Sequence, residues 1–167
     1  MGGAGTGGGR NSIEYLDLLV TMPFWIEGWV EVNRLKGTDD DWVGLINIAP
    51  MIEGFDEVSK RLFGLSKQAA VGSISVPAVA GGRGIPPSAS ALARASLASI
   101  AEHERQFGKG EFGGYTHLTW REVKAASLDS VVVEQSQWSL VFDLLRRLEQ
   151  DGRFSDDRIR FVVWFNW

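Results

Sequence analysis

An α+β fold is predicted for this chain: a small, mainly antiparallel sheet, made of an N-terminal hairpin and a C-terminal strand, packed by three to four helices in a single domain. Three observations carry that expectation. The stretch "TMPFWIEGWVEVN" at 21–33 alternates along its length, "WSLVFDLLRRLEQ" at 138–150 repeats apolar residues at helical spacing, and the terminal "DDRIRFVVWFNW" is apolar on both faces. At 167 residues and 44% hydrophobic content, the chain is long enough for one real core and too short for two comfortable ones.

Residues 1–20 read as a flexible Gly-rich tail and lead-in, with the domain at 21–167. Gly3, Gly5 and Gly8 match the G-x-G-x-x-G spacing of dinucleotide sites, but no strand precedes them. The strand at 21–33 sets Phe24, Ile26, Gly28, Val30 and Val32 on one face and Trp25, Glu27, Trp29 and Glu31 on the other. A polar turn, "LKGTDDD", then leads to "WVGLINIA" as its hairpin partner. Phe55, Val58 and Leu62 fall at helical spacing, and Gly64 sits where that short helix stops.

Residues 69–90 form a long loop of small residues, three prolines and a Gly-Gly-Arg-Gly turn. Ser88 or Ser90 caps the next helix, which runs to about Phe107 with Leu92, Ser96, Ile100, His103 and Phe107 as one stripe. After a break at "GKGEFGG", Thr119 and Glu122 have the T-x-x-E spacing of a capping box, with Leu118 and Val123 as its hydrophobic staple. The helix at 138–150 turns Leu140, Val141, Leu144, Leu145 and Leu148 to one face. In the last strand Ile159, Phe161, Val163 and Phe165 oppose Arg160, Val162 and Trp164, which places it beside the hairpin as a central strand.

A formal charge of −4 and a pI near 5.2 leave no basic stripe, so duplex nucleic acid is excluded as a partner while a pocket for one nucleotide is not. The chain has no cysteine, which removes disulfides, thiolate metal sites and cysteine nucleophiles. No apolar run reaches the roughly 20 residues that span a bilayer, and no signal-like segment opens the chain. The expectation is a cytosolic protein without membrane partners. Seven tryptophans and nine phenylalanines imply an aromatic core, with some rings left over for a pocket or a contact surface.

Several segments compete for a chemical role. His117-Leu118-Thr119 matches the His-x-Thr element of two-histidine phosphoesterases, but the other histidine, His103, has no hydroxyl two positions on, and the capping box explains Leu118, Thr119, Glu122 and Val123 without catalysis. Tyr115, Thr116 and His117 stand just ahead of that helix start, where free amides favour an anion; packing of a loop onto the sheet is the alternative. Arg83 and Gly84, followed by a helix start at Ser88, form a second anion candidate, against a plain surface turn. His103, on the apolar stripe of its helix, reads as a core or half-buried histidine hydrogen-bonded to a neighbour. No zinc-ligand spacing occurs, so neither metal nor cofactor is expected. Glu27 and Glu31 lie roughly 13 Å apart along an extended strand, long for paired catalytic carboxylates. A solvated outer face, with the indoles covered by a helix or a partner, is the simpler account.

Taken together, "WIEGWVEV", "RLFGL", "GGRGIPP", "GYTHLTWREV" and "RIRFVVWFNW" make the chain resemble a family of small proteins found in actinobacteria and bacteriophages. Its members have an early strand ending in a V-E pair, an R-G-L-P turn, a Y-L-T-x-x-E-L segment and a final V-R-x-V-F-W-F strand. The resemblance points to Arg83, Gly84 and Pro86, to Tyr115, Thr119 and Glu122, and to Arg160 and Trp164. It departs at Ile85, where the family has leucine, and in lacking a Gly-Cys-Asp-Ile-His opening. No activity comes with it.

The functional expectation is a binding protein, with a phage-type sponge that sequesters a nucleotide signal of antiviral defence in the host cytoplasm as its specific form. Trp25 and Trp29 would stack a base, while Arg83, Gly84, Ser88, Tyr115, Thr116, His117 and Thr119 would meet the phosphates. Two alternatives stand beside it. One is a phosphoesterase using His117 as general base or acid, and the other is an interaction module, or a homo-oligomer, that uses exposed tryptophans.

Overall fold

The structure is a computed structural model that describes residues 25–34, 41–64 and 78–167. Gly3, Gly5 and Gly8, the lead-in through Phe24, the turn at 35–40 and residues 65–77 of the long loop lie outside the described residues. Four antiparallel strands, β1 (Trp25–Asn33), β2 (Trp42–Asn47), β3 (Phe112–Thr119) and β4 (Ile159–Asn166), lie in the order β2-β1-β4-β3. The final strand is central, paired with β1 on one side and β3 on the other, and all of its residues are buried, as two apolar faces predict. Among the described residues five α-helices accompany the sheet: α1 (Glu57–Phe63), α2 (Ala91–Phe107), α3 (Trp120–Ala125), α4 (Ser130–Glu134) and α5 (Trp138–Gln150). The α+β class holds.

One face of the sheet carries the main core. Ile26, Val30 and Val32 of β1, Leu118 of β3 and Ile159, Phe161, Val163 and Phe165 of β4 meet α1 through Leu62 and Phe63 and α5 through Trp138, Val141, Phe142 and Leu145. The surplus of aromatic residues goes here. Trp138 stands edge-on to Phe161 at 5.6 Å and tilts against Phe142 at 5.9 Å, and its indole N–H donates to the buried Ser59 hydroxyl at 3.0 Å. Each such ring contributes roughly 1.5–3 kcal/mol by leaving water. The buried face of α5 is rotated from the expected one: Trp138 joins it, whereas Leu140 and Leu144 are exposed. A wide leucine stripe has two edges, and the bulkier aromatic edge took the core.

The other face of the sheet is covered by α2. Ser90 caps this helix by accepting from the Ala93 amide at 3.2 Å, so the second of the two candidate serines is the cap. Only Ala93 and Ile100 of α2 are buried, and the ends of the expected stripe, Leu92 and Phe107, are 45% and 73% exposed. Ala89, Ala93 and Val162 form a small second core with Trp29 and Ile85 packed against it. A 17-residue helix held by so little apolar contact rests lightly on the sheet.

Tyr115, Thr116 and His117 were expected in a loop before a helix; they belong to strand β3. The strand hides in the sequence because Gly113 and Gly114 lie near its start, its register shifts between Gly113 and Thr116, and one of its two buried positions is filled by threonine. The capping box at its end forms as its spacing predicts, with the Thr119 hydroxyl accepting from the Glu122 amide and Glu122 accepting from the Thr119 amide. At the other crossing, Gly28 of β1 has φ +149° and a Cβ there would lie 2.2 Å from the Val162 carbonyl oxygen. Only glycine lets β1 and β4 approach so closely.

Candidate functional site

Alternation along the strands sends Glu27, Trp29 and Glu31 of β1 and Arg160, Val162 and Trp164 of β4 toward α2. Register sets Glu31 opposite Arg160, and Glu27 opposite Trp164. This is not the solvated outer face expected from two carboxylates. Glu31 is 0% exposed, because α2 lies over it and a cation from β4 neutralises it.

Around Glu31 the layer is closed. Its Oε1 accepts from Arg160 Nε at 2.9 Å and Nη2 at 2.8 Å, and its Oε2 accepts from the Ser90 backbone amide at 2.7 Å. Arg160 donates further to the Ser88 carbonyl and hydroxyl, and its guanidinium lies 3.7 Å from the centre of the Trp42 ring. Burial pulls the Arg160 pKa down while Glu31 pushes it up. Ser88, expected to meet a ligand phosphate, is thus an anchor for arginine. The cluster pins the N-terminal end of α2 to the sheet.

Farther along α2 the layer opens. A cleft of ≈ 580 Å³ lies between the helix and the sheet, with Glu27, Gly28, Trp29 and Trp164 on the sheet side and Ser96, Ser99 and His103 on the helix side. Among the described residues Glu27 has only neutral donors as partners: the Trp164 indole N–H at 2.9 Å and the Asn166 amide at 3.4 Å. The Trp29 indole N–H donates to the Ser96 hydroxyl at 3.1 Å across the cleft. At the rim, His103 Nε2 meets Glu111 Oε2 at 2.5 Å, which fits the half-buried, partnered histidine read from the sequence. No arginine or lysine is among the described lining residues.

The first anion candidate and the second come together, at the outer edge of β3. Loop residues bond to this edge: the Gly84 amide donates to the Tyr115 carbonyl at 2.8 Å, the Arg83 amide to the Thr116 hydroxyl at 3.3 Å, and that hydroxyl to the Ala80 carbonyl at 2.6 Å. His117 Nδ1 lies 3.0 Å from the Gly84 carbonyl, so this nitrogen carries the proton. The Arg83 fork is engaged with both Glu122 oxygens, at 2.9 and 2.6 Å, and also donates to the His117 and Val79 carbonyls. Glu122 is held below the usual carboxylate range by that hydrogen bond from Arg83, and Arg83 is raised by the same contact. The cation meant for a phosphate therefore already has a carboxylate, and α3 is a six-residue helix whose capping box already takes up the Thr119 and Glu122 amides.

Of the two tryptophans expected to stack a base, Trp29 lines the cleft while Trp25 lies 50% exposed at the start of β1. Trp120, Trp138 and Trp164 are buried. Among the described residues no helix is long and apolar enough to cross a membrane. The chain matches no protein-family model, no curated protein and no solved structure. The sequence reading missed two features: the Glu31–Arg160 pair and the cleft beside it. The signal for the pair was present, since a carboxylate and a guanidinium each alternate with apolar residues in adjacent strands.

Proposed function

We propose that this chain is a small-molecule binding protein and that its ligand lies in the cleft between α2 and the sheet. One observation carries the reading: a half-open space of ≈ 580 Å³ with a polar floor, beneath a helix that buries only two of its residues. That volume falls within the roughly 300–1,000 Å³ of ligand pockets, and an apolar wall with a few converging polar groups is their usual make-up. Trp29 and Phe112 supply apolar area; Glu27 and the Ser96 and Ser99 hydroxyls supply orientation.

A phosphate-bearing nucleotide, the ligand expected from sequence, is less well supported than a small molecule in general. At the β3 edge a phosphate must displace Glu122 from Arg83, and in the cleft it must lie near the Glu27 carboxylate. The decisive experiment is native mass spectrometry after incubation with a metabolite extract, on the wild type and on Ser99→Trp, which fills the cleft from an exposed helix position. The expected result is a retained small molecule in the wild type and none in the variant. Retention unchanged by the substitution, or no retained molecule in either protein, overturns the reading.

A further inference from the structure

Resting on that reading, we infer that the cleft selects a small organic cation, an ammonium group carried on an aromatic or apolar body. Two features of the lining, independent of each other, lead there. The first is charge. Glu27 offers a carboxylate whose partners among the described residues are a neutral indole N–H and a neutral amide, so no described residue cancels its negative charge in the cleft. His103, the one basic group among the described lining residues, is tied to Glu111 at the rim. The neighbourhood registers this field: the Tyr115 hydroxyl is pushed above its ordinary pKa, first by burial and then by the charges of Glu104 and Glu27.

The second feature is the aromatic wall. Trp29 and Trp164 flank Glu27, one on the same strand and one directly opposite it in register; Trp164 is buried and holds the carboxylate through its indole N–H, while Trp29 is the part-exposed ring on the cleft. An indole ring attracts a cation through its negative face, and the carboxylate beside it adds a charged acceptor for an N–H donor. An anionic headgroup gains neither term and is repelled by Glu27. The Ser96 and Ser99 hydroxyls leave room for further polar contacts without imposing a sign.

Three probes that share one body and differ in charge test this inference: tryptamine, tryptophol and indole-3-acetate, titrated at pH 7 by calorimetry against wild type, Glu27→Gln and Ser99→Trp, with melting curves to establish folding. Tryptamine is expected to bind at least tenfold more tightly than the other two, Glu27→Gln to erase that preference, and Ser99→Trp to abolish all binding. Equal or tighter binding of indole-3-acetate, a preference that survives Glu27→Gln, or no binding of any probe at millimolar concentration overturns the cationic class. The two readings fail separately. Probes that are blocked by Ser99→Trp but show no charge preference remove only the cation inference, whereas tryptamine binding that is indifferent to Ser99→Trp removes the cleft itself.

Discussion

Glu27 and Glu31 stand four residues apart on one face of one strand, and their surroundings could hardly differ more. Glu31 is sealed from solvent, bonded to Arg160 and to the Ser90 amide, under the pinned end of α2. Glu27 opens onto a cleft and, among the described residues, accepts only from neutral groups. What separates them is the opposite residue on β4: arginine faces Glu31 and tryptophan faces Glu27. The same side chain therefore organises the fold at one end of β1 and is left with unused capacity at the other. Substituting both glutamates alike is the most direct way to break this comparison.

The largest effect is expected at the closed end. Glu31→Gln leaves the buried Arg160 guanidinium without its counter-charge, and breaking one partner of a buried pair costs about 3–5 kcal/mol. Urea unfolding of the variant checks this. Adding Arg160→Met should restore much of the loss, since an apolar replacement of the whole pair leaves no orphaned charge. A double variant no more stable than Glu31→Gln would show that Arg160 acts through Ser88 and Trp42 rather than through Glu31.

Between the two glutamates lies Gly28, whose φ of +149° and close approach to the Val162 carbonyl bring β1 against β4. Gly28→Ala must strain the backbone or part the strands, at about 3 kcal/mol, measurable by thermal unfolding. The variant also sharpens the comparison. If the register beyond Gly28 loosens, Glu27 and Trp164 move apart while Glu31 and Arg160, farther along, remain paired, and hydrogen exchange should rise at 25–28 before it rises at 30–32.

How much of this was legible in the sequence follows from how far each feature's partner lies along the chain. β1, β4, α5 and the Thr119–Glu122 capping box declare themselves because their signals are local: alternation, a 3.6-residue repeat, a three-residue spacing. Glu31 was misread as solvated because its partner is 129 positions away, and a lone carboxylate among tryptophans looks like surface until a second strand supplies the cation. Arg83 and Glu122 were each singled out, one as a ligand group and the other as a cap. Their bond spans 39 positions and joins two devices that the sequence presents separately. β3 escaped because one of its two buried positions is Thr116, which satisfies its hydroxyl on Ala80 rather than advertising itself as apolar, and the other, Leu118, doubles as the expected staple of the capping box. The cleft had no sequence signal: it is the space left where α2 fails to pack.

The Arg83–Glu122 clasp at the β3 edge supplies a third, smaller test, because it is an ion pair that, unlike Glu31 and Arg160, is partly open to solvent. Glu122 has its carboxyl pKa lowered by Arg83, so its contribution to stability is complete above the unfolded-state value and is lost as the pH falls through the lower folded value. With both side chains about a third exposed, solvent screens the pair, and Glu122→Gln should cost about 1 kcal/mol or less at pH 7. The gap between variant and wild type should close as the pH is lowered below the unfolded carboxylate range. A gap that stays constant down to pH 2 would assign the loss to the cap hydrogen bonds alone.

The smallest effect is expected where the functional reading is strongest. Glu27→Gln keeps an oxygen that can go on accepting from the Trp164 indole, and it removes a charge that no cation in the described structure balances. Stability at pH 7 should therefore change by no more than about 0.5 kcal/mol, against several for the identical substitution four residues along. A carboxylate that the fold does not need for stability, held in an aromatic cleft, is free to serve a ligand. A large loss of stability in Glu27→Gln would make Glu27 a second structural anchor, and the contrast between the two ends of β1 would disappear with it.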